Sequence, residues 1–150
     1  MQRRTPGMVV EIPLSDGRKG FGQAIDHIEL AVLSLVKGRE ELPTQDEIEA
    51  ADVLFRVWVM RTALTSGRWK KIGVFPLRDE LRFPVPRCNL HGGKWVTYLN
   101  GEETPASRKQ CLKLEPASIW SAVHVEHRLS FYFQGRPYDV HKEIFEGPSG

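Results

Sequence analysis

Apolar and polar positions first fall into a regular order at Met8. Met8, Val10, Ile12 and Leu14 alternate with Val9, Glu11 and Pro13, the period of a strand with one buried face. Asp16-Gly17 follows and suits the centre of a type I′ turn, which predicts a hairpin with the stretch up to Ile25. In that register Leu14 opposes Lys19, Ile12 opposes Phe21, Val10 opposes Gln23 and Met8 opposes Ile25. Pro13, Glu11 and Val9 then oppose Gly20, Gly22 and Ala24, so one face is bulky and the other nearly bare. Strand glycines permit sharp coiling or the close approach of another backbone, and Pro13 places its side of the strand near an edge. Both features predict a strongly curled sheet.

Asp26 to Val36 alternates around His27 and Ile28 and then turns continuously apolar, which reads as a buried strand, with a short helix fitting the apolar count nearly as well. Residues 37–43 read as a loop. Thr44 and Glu47 have capping-box spacing and predict a short helix from Gln45 to about Ala51, with Ile48 as its apolar contact. Val53 to Met60 is β-branched and aromatic, the clearest strand of the chain. One helical turn ending at Gly67, a strand closed by Pro76, an irregular connection over 78–93 and a strand KWVTYL before an Asn100-Gly101 turn come next. A helix is expected from Pro105 to Leu112. Another is expected after Ser121, with Val125, Leu129, Tyr132 and Phe133 on one face, ended by Gly135 and Pro137. YDVHKEIF reads as a last strand. The fold class is α+β: a strongly curled antiparallel sheet or small SH3-like barrel with a few short helices, mainly in the C-terminal third. The 150 residues are expected to form a single domain, its ordered core running from about 7 to 146.

Composition narrows the function classes. Apolar residues make up 41% and charged residues 27%, and the net charge of +2 supplies no global field toward nucleic acid or membrane. The longest apolar run, Leu30 to Val36, is far shorter than the roughly 20 residues of a spanning helix, and no signal-peptide pattern opens the chain. A cytoplasmic protein without a membrane partner is expected. Cys88 and Cys111, with no second pair, read as two free thiols in preference to a disulfide.

The chemistry-bearing motifs are sparse. G-R-K-G-F-G has neither dinucleotide-loop nor P-loop spacing and leads into a strand, so it does not cradle phosphate. His124 and His127 share a helix face but lack further zinc ligands at recognisable spacing, and no nucleophile elbow occurs. No catalytic residue, metal or cofactor is expected. Two charged features remain. Residues 39–52 hold Glu40, Glu41, Asp46, Glu47, Glu49 and Asp52 against one arginine, which makes either a solvated face or a docking surface for a basic partner. Arg68, Lys70 and Lys71 flank Trp69, which is either a buried anchor or a platform for single-stranded RNA.

Four blocks, EIPLSDGRKGFGQAI, VLFRVWVMRTAL, SGRWKKIGVFPL and SIWSAVHVEHRLSFYFQGRP, together resemble the immunity protein 26 family of bacterial polymorphic toxin systems. Pro6-Gly7-Met8 stands where the usual first strand begins Gly-Asp. The resemblance implies a small, cytoplasmic, non-enzymatic protein that binds and neutralises a cognate toxin domain. If that toxin is a nuclease, Glu40, Glu41, Asp46, Glu47 and Glu49 are the expected contact residues, imitating the charge of the substrate. The competing reading is a small nucleic-acid-binding barrel using Arg68, Trp69, Lys70 and Lys71.

Overall fold

The turn at Leu14–Arg18 fixes the register of the first hairpin. In the computed structural model, which describes residues 2–26 and 28–146, Leu14 N–H donates to Arg18 O at 3.0 Å and Gly17 N–H to Leu14 O at 3.1 Å. Gly17 is left-handed (φ +89°), whereas Asp16 is not; Asn100 is the one described non-glycine residue with positive φ. The loop is therefore Ser15-Asp16-Gly17, three residues closed by a left-handed glycine, and not a two-residue type I′ turn. The extra loop residue slips the pairing of β1 (Met8–Pro13) with β2 (Lys19–Ala24) by one position. Val10 now opposes Gly22 and Ile12 opposes Gly20, and the expected Ile12–Phe21 pairing does not form. The slip puts the glycines beneath the bulky β1 residues and sends Phe21 to the other face with Val9 and Glu11. A Cβ on Gly20 would collide with the Leu129 side chain, and one on Gly22 would lie 2.9 Å from Leu30 Cδ2. These glycines serve close packing, not curl.

Downstream follow β3 (Glu29–Lys37), α1 (Gln45–Ala50), β4 (Val53–Val59), α2 (Arg61–Thr65), β5 (Lys71–Val74), β6 (Arg87–His91) and β7 (Lys94–Leu99). Then come β8 (Glu102–Pro105), α3 (Arg108–Cys111), β9 (Glu115–Pro116), β10 (Ile119–Trp120) and α4 (Ala122–Phe133), with a 3-10 turn at Asp79–Arg82 and a π-helical turn at Lys142–Glu146. The predicted strand start at His27 lies outside the described residues. Contacts group the chain into two compact units, one of residues 2–81 with Ile119–Tyr138, the other of Arg82–Ser118 with the segment from Asp139.

The first unit holds a six-stranded sheet in the order β10-β4-β3-β2-β1-β5. It is mixed, because β10 joins β4 in parallel, and open, with β5 and β10 as its edges. The expected closed barrel or strong curl is absent from the described residues. β1 is an interior strand, but its last β5 partner is opposite Val10, so Pro13 lies beyond β5 and its missing N–H removes no bond from that ladder. On one face Val9, Phe21 and Leu33 pack with Ile48 and Ala51 at α1, and Ile25 and Ala31 pack with Leu81. On the other face Val10, Ile12, Leu30, Val32 and Val57 are all at 0% exposure, as are Val125 and Leu129 of α4. Each such side chain contributes about 1.5–3 kcal/mol by leaving water.

The second unit holds a sheet in the order β8-β7-β6-β9, also mixed and open, since β9 joins β6 in parallel. Residues 78–93 are not an irregular connection. Gly92 (φ +59°) and Gly93 (φ +76°) form the two-residue turn between β6 and β7, where left-handed geometry matches strand twist. Asn100 (φ +51°) and Gly101 (φ +82°) repeat the device into β8. Pro105 ends that strand and does not open a helix; α3 starts after Ser107, whose Oγ accepts Gln110 N–H at 3.1 Å. The expected final strand YDVHKEIF is instead helical, because Asp139 Oδ1 accepts Lys142 N–H at 3.0 Å and Asp139 O accepts Glu143 N–H at 3.1 Å. Cys88 and Cys111 form a disulfide with Cα atoms 4.9 Å apart, which replaces the expectation of free thiols. Pairing brings β6 and α3 together, a proximity that sequence separation does not reveal. Among the described residues no helix is long and apolar enough to cross a membrane.

Candidate functional site

The acidic segment sits where β3 ends. Glu41 N–H donates to Gly38 O at 3.1 Å in the turn that follows Lys37, and the chain then enters α1 through a reciprocal cap. Thr44 Oγ1 accepts Glu47 N–H at 3.1 Å, while Glu47 Oε1 accepts Thr44 N–H at 3.0 Å. Lys37 Nζ lies 2.6 Å from Glu47 Oε2. The Lys37 hydrogen bond first, and the Thr44 N–H second, hold the Glu47 carboxyl below the ordinary range, and Lys37 is raised in turn. Glu47 is thus engaged in shaping the helix start.

Glu40, Glu41, Asp46 and Glu49 are exposed. Glu49 Oε1 accepts Gln45 Nε2–H at 2.9 Å, which leaves its other oxygen outside that bond. The helix carrying Asp46 and Glu49 is pinned from below. Ile48 is 2% exposed in the core cluster, and Arg78 Nη2–H donates to Ile48 O at 2.9 Å. Leu42, between Glu41 and Pro43, is 65% exposed. Sequence periodicity did not single it out, although an isolated leucine inside an acidic loop was the available signal. The chemistry this segment offers is a set of exposed carboxylates and one exposed apolar side chain, with Asp46 and Glu49 on a helix anchored in the core.

Around Trp69 the geometry differs. The Trp69 ring is at 0% exposure, and Nε1–H donates to Glu126 Oε2 at 2.9 Å. Arg68 makes a forked pair with the same carboxylate at 2.7 and 2.8 Å, and that pairing raises the Arg68 pKa. Trp69 therefore ties α4 to the start of β5, with no face of its indole turned to solvent. Lys70 is exposed and Lys71 half-buried. Of the HVEH histidines, His124 and His127 are exposed on α4 while Glu126 is turned to Arg68 and Trp69. Among the described residues no group of three or more His, Cys, Asp or Glu could hold a metal ion.

The family model of immunity protein 26 matches residues 5–92, more than half of the chain. The chain belongs to the immunity protein 26 family. No curated protein and no solved structure matches it. Family membership makes it a non-enzymatic immunity protein and implies toxin neutralisation. The matched span of this immunity protein includes β1 to β5, α1, the whole acidic segment and Trp69, whereas α4 with Glu126 and most of the second unit lie beyond it.

Proposed function

We propose that this immunity protein neutralises its cognate toxin by seating the acidic end of the first unit against a basic cleft, as a nuclease would present to phosphates. The observation that carries the reading is the shared exposure of Glu40, Glu41, Asp46 and Glu49 and of Leu42 within one short segment, inside the family-matched span. Carboxylates opposite lysines and arginines accelerate encounter and reject partners of the wrong charge. An exposed apolar side chain in the same segment supplies the anchor for desolvation that charge alone does not. Glu47 contributes indirectly, by holding the helix that presents Asp46 and Glu49.

The test is co-expression with the toxin encoded beside this gene. Wild-type chain restores growth of cells producing the toxin and co-purifies with it. Failure of the wild-type chain to relieve toxicity would reject that toxin as the partner.

A further inference from the structure

The opposite end of β3 carries the opposite charge. Val59 N–H donates to Ile28 O at 2.9 Å, so the end of β4 meets the start of β3 and passes the chain to α2 there. The acidic turn follows the other end of the nine-residue β3, on the order of 30 Å away along the strand. Arg61 opens α2. Arg3 and Arg4 reach it on a segment that Gln2 fixes in place, its Nε2–H groups donating to Leu64 O (3.1 Å) and Trp69 O (2.6 Å) and its Oε1 accepting Lys71 N–H (2.7 Å). Two recesses of about 380 and 410 Å³ are both lined by Arg4 and Arg61, with Asp26 in one and Arg3 in the other.

Charge there is unbalanced. Among the described lining residues three guanidiniums face one carboxylate, and Asp26 Oδ1 already accepts Ile28 N–H at 2.9 Å and Glu29 N–H at 2.8 Å. Arg4 donates from Nε and Nη2 to a single acceptor, Asp26 O, and its buried Nη1 has no hydrogen-bond partner among the described residues. Burial, opposed by Asp26 and reinforced by Arg61, holds the Arg4 pKa below its ordinary value. Beside the arginines lies an apolar shoulder of about 550 Å³, lined by Ile28, Val59, Met60, Ile119 and again Arg61. Met60 is 49% and Ile119 56% exposed.

We propose that this recess and its shoulder form a second docking surface, which takes an acidic segment of a protein partner carrying apolar side chains beside its carboxylates. Planar guanidiniums match carboxylates in a fork, and the segment bearing them is already ordered, so little freedom is lost on binding. The shoulder selects a polypeptide over a phosphodiester backbone, which has no apolar side chains to place on Met60 and Ile119. Its charge and its position at the other end of β3 separate this surface from the acidic one.

The probe is a labelled peptide in which Glu and Asp alternate with Leu and Phe, followed by fluorescence anisotropy. Controls are the same peptide with Gln and Asn for the acids, and a labelled oligo-dT of equal charge. The acidic peptide is expected to bind wild type. Arg61→Glu, at an exposed position, weakens it about tenfold or more with the circular dichroism spectrum unchanged, and Arg4→Gln acts in the same direction. Met60→Ser with Ile119→Ser weakens it severalfold. Charge reversal at Glu41, Asp46 and Glu49 leaves it unchanged. Absence of peptide binding, or equal binding of the neutral peptide, overturns the proposal. Oligo-dT binding that ignores the Met60 and Ile119 changes would reassign the recess to nucleic acid. Dimerisation abolished by Arg61→Glu would reassign it to a second copy of the chain.

Discussion

In the first unit Phe21, Leu30 and Leu33 are at 0% exposure on the two faces of one sheet, whereas in the second no residue of β7 or β8 is fully buried. What the smaller unit lacks in apolar burial it replaces with local devices. The Cys88–Cys111 disulfide joins β6 to α3, two left-handed turns set the hairpins, and Trp95 meets Phe145 edge-on at 5.2 Å. This is the general solution for small structures without enough surface to bury. The difference teaches where a binding surface can be held rigid by packing alone. The acidic helix α1 and the Arg61 recess both stand on the unit with the two-sided core.

Four perturbations sharpen that contrast. The largest effect belongs to the first core. Leu129→Ala should cost about 3 kcal/mol in chemical denaturation, and Gly20→Ala should also destabilise by crowding Leu129. Combining the two should cost less than their sum, because removing the leucine makes room for the new Cβ. Cys88→Ala with Cys111→Ala comes next. Opening a loop of sequence separation 23 should cost about 3 kcal/mol, read as faster hydrogen exchange in β6, β7 and α3 with β2 to β4 unchanged. Equal acceleration in both units would erase the distinction drawn between them.

Glu126→Ala should cost about 2 kcal/mol by leaving the buried Trp69 N–H without its acceptor, together with a shift in tryptophan fluorescence. Glu126→Gln, which keeps a carbonyl oxygen, should recover part of the loss. The smallest effect is pH-dependent. The Glu103 carboxylate, by its hydrogen bond first and its charge second, raises the His91 pKa. The protonated pair therefore stabilises the second unit fully below about pH 6.5 and is lost as pH rises through the raised value. His91→Asn should speed exchange in β6 to β8 near pH 6 and match wild type near pH 9, both values being about where the pair is whole and broken.

Legibility in the sequence followed the range of the interactions. The box at Thr44 and Glu47, the strand at Val53 and the cap at Ser121 each rest on neighbours within a few residues, and each stands where periodicity and capping placed it. The first hairpin was legible as a hairpin but not in register, since Asp16-Gly17 also fits a three-residue loop once Ser15 joins it. β6 was missed because RCNLH depends on its partners β7 and β9 more than on its own alternation. At YDVHKEIF, alternating apolar residues gave way to the Asp139 carboxylate, which holds the backbone in a helical turn. The site divides in the same manner. The density of carboxylates was visible along the chain, but the engagement of Glu47 by Lys37, the bare Leu42 and the meeting of Arg3, Arg4 and Arg61 exist only after folding.

The central claim is that the acidic end of the first unit carries toxin binding. Its most direct test is the affinity of the cognate toxin for wild type and for the Glu41→Lys, Asp46→Lys, Glu49→Lys triple variant, titrated at low and high salt. The account predicts weaker binding by the variant and a residual affinity that depends less on salt. Unchanged affinity and salt dependence in a folded triple variant would contradict it.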